Sequence, residues 1–290
     1  MVSAFISPAS VVRSIIAVIV LLVVAIIVAN ILGGLAFLGL VSWLILVVGI
    51  VVGAFLIARA GRPLAGAGAI ILPLSAWIAF HVQPPAFVWT ALFFIGAGLI
   101  IIGTRDDTPL RSSWPLLLPR VIIGWALVDN SQDHFLNNWL PGVQGTGFFQ
   151  SATGVATRQP RDLLDSAYQA FVKAAVAGNP DPWAGLTICG ELSFGLLLAA
   201  GFLTPIGALG AMWLNGNYML MRGFANHGGY VDKVFFAGEL FSLIVMAGLA
   251  YGLDATLRRH VPSAISETLM GTPGAEPEQA PLPRPEPQPT

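Results

Sequence analysis

The sequence predicts an all-α protein, a polytopic membrane bundle of about eight transmembrane helices, and three observations predict it. Of its 290 residues, 56% are hydrophobic and only 10% charged, where a soluble domain carries about 25% charged residues. The mean hydropathy is +0.77. Residues 1–104 hold three formal charges, Arg13, Arg59 and Arg62, too few to solubilise a globular surface.

Eight apolar stretches follow, each near the roughly 20 residues that a bilayer requires. The first covers residues 12–32 and turns at Gly33-Gly34; it is too long for a signal-peptide core and reads as a helix that stays in place. The second, 35–58, carries Gly49 and Gly53 at GxxxG spacing, which lets two helix backbones approach closely. The third covers 64–80 and the fourth 86–103, with Trp77 and Trp89 as interfacial anchors. A polar loop, 105–113, then divides the chain, so residues 1–104 and 114–256 are expected to form two four-helix regions.

The fifth stretch is 115–130. Residues 131–182 form a long segment outside the membrane, in which Leu164, Ala167, Tyr168, Phe171 and Ala175 recur at helical spacing. That pattern predicts an amphipathic helix over 161–177, lying on the membrane surface or capping the bundle. The sixth stretch is 183–203, the seventh ends at 222 and the eighth covers 232–253. Residues 257–290, rich in Pro and Glu toward their end, are expected to be a disordered tail. Arg13, Arg59, Arg62, Arg105, Arg111, Arg258 and Arg259 all fall on one side of this arrangement. The positive-inside rule makes that side cytoplasmic, with both termini inside a cell membrane. Arg120, near the inner face, is expected to snorkel to lipid phosphate.

The chemistry gathers in the second region. Glu191 lies inside the sixth stretch, where an ionisable residue is costly and marks a candidate site. Counting about 1.5 Å per helical residue puts Glu191 roughly 12 Å below the outer end, with Glu239 and Asn215 each roughly 10 Å below it. Asp129 sits near the outer end of the fifth helix, in one stripe with Trp125, Gln132 and Asp133. Asn215, Tyr218 and Arg222 share a second stripe, and Asp232, Glu239 and Ser242 a third. Four helices thus supply a cavity for a small polar headgroup. Glu191, Glu239 and Asp129 are the candidate proton-exchanging, catalytic residues. Gln132, His134, Asn215, Tyr218, Arg222 and Asp232 are the candidate substrate-binding residues.

Other chemistry has less support. The single cysteine, Cys189, excludes an intrachain disulfide, a CxxC pair and a cysteine-ligated cluster, and it points away from Glu191. His134 and His227 flank the outer mouth without metal-motif spacing, so no metal site is assigned. A net charge of -1 without a basic cluster gives no case for a nucleic-acid partner. The expected partner is the lipid bilayer.

Pro119-Arg120-Val121-Ile122-Ile123-Gly124-Trp125 opens the fifth helix, and a polar run from Asp129 to His134 ends it. Gly190-Glu191 with Gly195, Gly201-Phe202-Leu203-Thr204-Pro205, Asn217-Tyr218 and Tyr230-Val231-Asp232-Lys233 follow. On these motifs, residues 119–253 resemble the DoxX/DoxD-like family of four-helix membrane proteins. One branch of the family, the DoxD type, is a subunit of thiosulfate:quinone oxidoreductase. That resemblance implies electron transfer from a reduced sulfur compound, such as thiosulfate, to membrane quinone. Haem, flavin and Fe–S signatures are missing from the sequence, so a redox role calls for a second redox subunit or for chemistry performed directly at the quinone. Two other readings stay open, an accessory scaffold and a small-solute transporter.

Overall fold

Long apolar runs must satisfy their backbone groups internally, and here they do so as helices. The computed structural model describes residues 8–105, 114–137, 139, 147–224, 230–245 and 247–270, and no strand occurs among them. The long helices are α1 (Pro8–Leu32), α2 (Gly34–Ala58), α3 (Pro63–His81), α4 (Ala86–Gly103) and α5 (Trp114–Leu136). Next come α6 (Gly147–Thr157) and α7 (Leu163–Phe171), the latter running into a π-helical turn at Val172–Val176. The chain continues with α8 (Pro180–Ala200), α9 (Thr204–Arg222), α10 (Tyr230–Ile244), α11 (Leu253–Leu257) and α12 (Ser263–Leu269).

Among the described residues five helices, α1 to α4 and α8, are long and apolar enough to cross a membrane. The other three expected positions are filled by α5 and α9, whose polar residues lower their hydropathy, and by the shorter α10. The last of these stops at Ile244 instead of continuing to 253. Gly248, the positive φ of Tyr251 (52°) and Gly252 turn the chain into a short 3₁₀ helix and then α11.

The bundle is built around α8. In its most apolar stretch 78% of residues are buried, against 11% in α1. α8 packs on α5, α9, α2, α1 and α3. Small residues allow the closest of these contacts. A methyl group added at Gly124 would lie 2.6 Å from the Gly195 carbonyl oxygen, and one at Gly195 would lie 2.7 Å from that of Gly124. We expect Gly195→Val to force α5 and α8 apart and to cost about 1 to 3 kcal/mol, read as a lower melting temperature in detergent. Gly53 and Gly66 make the same reciprocal contact between α2 and α3, which places the second stretch's GxxxG spacing in an intrachain interface.

The two sequence halves share one core. Phe37, Leu72, Trp89 and Phe93 from the first half join Leu117, Val128, Ile188 and Leu192 from the second. In addition α1 packs against α8, α9 and α12. The expected tail is therefore partly helical: α12 docks on α1 and α9, with Ser266 and Met270 buried. Residues 271–290 lie outside the described residues.

Arg120 does not snorkel. It is 0% exposed, and its Nη2 donates to the carbonyls of Ala250 (3.3 Å) and Tyr251 (3.2 Å). Beside it, Asp254 accepts from the backbone N–H groups of Leu203 (2.7 Å) and Thr204 (3.0 Å), capping α9. The clasp joins α5, the α8–α9 turn and α11 at one end of the bundle. Helices α6 and α7 cap the other.

The predicted amphipathic helix exists, and its polar side faces the bundle. Asp165 and Gln169 are buried, whereas Leu163, Leu164 and Phe171 are exposed. Hydrogen bonds decide this orientation. Asp165 accepts from Arg158 and from Arg161 Nε (3.2 Å), and Gln169 donates to the Arg158 carbonyl (2.9 Å). The same arginines reach α9, where Arg158 donates to the Met221 carbonyl (2.6 Å) and Arg161 to the Arg222 carbonyl (2.7 Å). Cations at a helix C-terminus are favourable.

Candidate functional site

At the capped end, α5, the last turns of α9 and the first turns of α10 surround a cavity of about 400 Å³ together with Trp139, and α8 packs behind its wall. That volume falls within the range of small-molecule sites, about 300 to 1,000 Å³. Glu191, 0% exposed, forms its deepest polar contact set. Asn130 and His134 sit four residues apart on α5 and so face α8 together. Asn130 Nδ2 donates to Glu191 Oε1. Tyr218 Oη donates to the same oxygen at 2.5 Å, and His134 Nδ1 lies 2.9 Å from Oε2. Three helical residues are thus spent on one carboxylate.

A second carboxylate is held in the same way. Glu239 is 0% exposed, and its Oε1 accepts from Asn215 Nδ2 at 2.5 Å. Asn130 and Asn215 both line the cavity. Each buried glutamate therefore stands one amide away from whatever enters. Nearer the mouth, Arg222 Nη1 pairs with Asp232 Oδ2 at 2.9 Å. His134 stacks on Trp139, with ring centroids 3.7 Å apart and planes inclined by 13°. That stack fixes the imidazole against Glu191.

Of the nine candidate residues, Asp129, His134, Asn215, Tyr218, Arg222 and Asp232 line the cavity directly. Glu191 and Glu239 lie behind its wall. Gln132 does not join them: it is buried against α3, donating from Nε2 to the Ala79 carbonyl at 3.1 Å. Two residues beyond Asn130, it is turned to the opposite side of α5, and only the position of α3 reveals this. Asp133 does face the cavity, together with Trp125. His227 lies outside the described residues. The sequence reading missed Asn130 and Trp139. Asn130 carried a signal, since it precedes His134 by one helical turn.

The lining has a sign. Asp129, Asp133 and Asp232 face a single guanidinium, that of Arg222. Such a field favours a neutral or cationic ligand and raises the cost of admitting an anion.

The cap above is held by Asp165. Hydrogen bonding from Arg161, opposed by burial and reinforced by Arg158, keeps its carboxyl well below the usual carboxylate range. A depressed value means the clasp is at full strength above the ordinary Asp pKa of about 3.9 and weakens only as pH falls below it. We expect Asp165→Asn to speed amide exchange across α7 by about tenfold or more, since one charge-assisted bond is worth about 1.5 kcal/mol. Hydrogen-exchange mass spectrometry reads this directly; unchanged exchange would show that the apolar contacts of Val155, Val172 and Val176 hold the cap alone.

The chain matches no curated protein and no solved structure. A protein-family model does match, and its range takes in α5 to α9 and with them Asp129, Asn130, His134, Glu191, Asn215 and Tyr218. Over residues 116–221, the chain is similar to the DoxX family.

Proposed function

We propose that this protein is a DoxX-type redox subunit of the cell membrane, whose cavity binds the headgroup of a quinone and exchanges protons with it. One observation carries the reading: two fully buried carboxylates, Glu191 and Glu239, are each bonded to an asparagine that lines the same cavity. A quinone takes up two electrons and two protons to become a quinol. Two carboxylates held out of water fit that demand, because a general acid works best when its proton affinity suits the operating pH.

The residues divide the work. Glu191 and Glu239 hold protons for the two quinone oxygens. His134, anchored to Glu191 through Nδ1, uses its other ring nitrogen for transfer. The second N–H of Asn130 and of Asn215 orients the headgroup, and the rings of Trp139 and Phe235 cover its faces. The electrons come from a reduced sulfur compound such as thiosulfate. The acidic lining disfavours that anion inside the cavity, so we assign its oxidation to a second redox subunit. The charge bias of the loops supports a cap outside the cell and both termini in the cytoplasm.

The test uses the tryptophans of the cavity. A short-chain quinone is expected to quench fluorescence saturably in the wild type, with much of the amplitude lost in Trp139→Phe. Quenching that stays linear in quinone concentration would leave the headgroup reading without support. A second reading, an accessory subunit without chemistry of its own, draws on the exposed Leu163, Leu164 and Phe171 of α7. Under it the partner docks on the cap and the quinone test gives the linear result.

A further inference from the structure

The polar layer is open at one end of the bundle and sealed at the other. Toward the cap, Asp129, Asp133 and His134 follow one another on a single face of α5, and all three line the cavity. Asp133 is exposed and accepts from Asn137 Nδ2 at 2.5 Å. His134 touches Glu191. Asp129 and Asp133 stand one turn apart and His134 follows Asp133, so proton-carrying groups line the cavity between the medium and a buried acid.

Away from the cap the composition changes. Ile123, Leu127, Leu198, Ala208, Ala211 and Leu243 form one apolar cluster beneath the two glutamates. Ser242, one turn past Glu239, is buried with its hydroxyl unbonded. From Glu191 to the end of α8 the helix rises about 13 Å, through residues that are apolar except Ser193. Ser193 faces an apolar groove between α2, α3 and α8, on the other side of the helix from Glu191. Beyond lies the Arg120–Asp254 clasp, already engaged with backbone groups. Among the described residues, no chain of titratable groups crosses this plug.

We propose that Glu191 exchanges protons with the cap-side medium alone, and that Asp129 and Asp133 carry them. This rests on the reading that Glu191 is a proton-exchanging acid. The groups facing the two aspartates are His134 on their own helix, Tyr218 and Arg222 on α9, and Asp232 on α10. Arg222 is already paired with Asp232, which leaves the α5 carboxylates as the path. In quinone reduction the two electrons arrive from the reduced sulfur donor, and the two protons taken up by the quinone oxygens are replaced from the cap side.

The experiment needs no quinone. The full chain is reconstituted in sealed vesicles, once with the cap outward and once inward, and the external pH is jumped. The protonated-carboxyl infrared band of Glu191 is followed, identified by its loss in Glu191→Gln. With the cap outward the band is expected to respond promptly. With the cap inward it is expected to follow only the slow leak of the vesicle. Asp129→Asn with Asp133→Asn should slow the prompt response by about tenfold or more and leave its amplitude intact, which a merely structural role would not do. Equal responses in both orientations, a faster response with the cap inward, or a band that ignores pH would each overturn the proposal. Quinone quenching of Trp139 is measured separately, so failure of the headgroup reading is distinguishable from failure of the proton path.

Discussion

Glu191→Gln is expected to leave the protein folded and to lower quinone-dependent turnover by about 10²- to 10⁴-fold, the usual share of a general acid or base. The amide preserves the shape of the site. Its oxygen accepts from Asn130 and Tyr218 as Oε1 does, and its nitrogen donates to His134 Nδ1 where Oε2 now sits. His134 then takes its other tautomer. What disappears is the exchangeable proton. Glu191→Leu should behave differently, since it leaves three half-buried donors facing a hydrocarbon. Removing one member of a buried charged network costs about 3 to 5 kcal/mol, so the leucine variant should melt well below the glutamine variant. Equal turnover in wild type and Glu191→Gln would confine Glu191 to packing.

The second large effect is expected at the opposite end. Arg120→Ala should destabilise the chain by about 3 to 5 kcal/mol, because it strips a buried cation from the Ala250 and Tyr251 carbonyls and leaves Asp254 without its counter-charge. The cavity lies far from this clasp, so any surviving folded protein should bind quinone normally. Arg120→Met combined with Asp254→Asn should recover part of the loss: no unpaired charge remains, and methionine fills much of the volume. Thermal melts of the wild type and the two variants in one detergent decide the matter. A double variant no more stable than Arg120→Ala would show that the carbonyl bonds, not the charge pair, hold this end.

How much of this was legible in the sequence follows from the range of each interaction. Glu191 announced itself because a carboxylate inside an apolar helix has no local explanation. Asn215, Tyr218 and Arg222 share a face by helical period alone, which survives any tertiary arrangement. Gln132 failed the same test: its stripe was right for a helix standing alone, and the carbonyl of Ala79 on α3 claimed it. Arg120 was misread because its partners are backbone carbonyls some 130 positions away, invisible to any pattern of side chains. The face that α7 turns to the bundle stayed open for a related reason. An apolar stripe was the visible signal, but two arginines and a buried aspartate decide which side packs inward. The first four helices looked separable by composition, and only the packing around α8 showed one core.

The central claim is that the cavity holds a quinone headgroup. Mass spectrometry of the protein released from native membranes in mild detergent tests it most directly, with wild type compared against Asn215→Trp. That variant fills the cavity from α9 and leaves Glu191, Asn130 and His134 in place. The account predicts stoichiometric quinone on the wild type and none on the variant. A quinone-free wild type, or equal retention by both proteins, would contradict it.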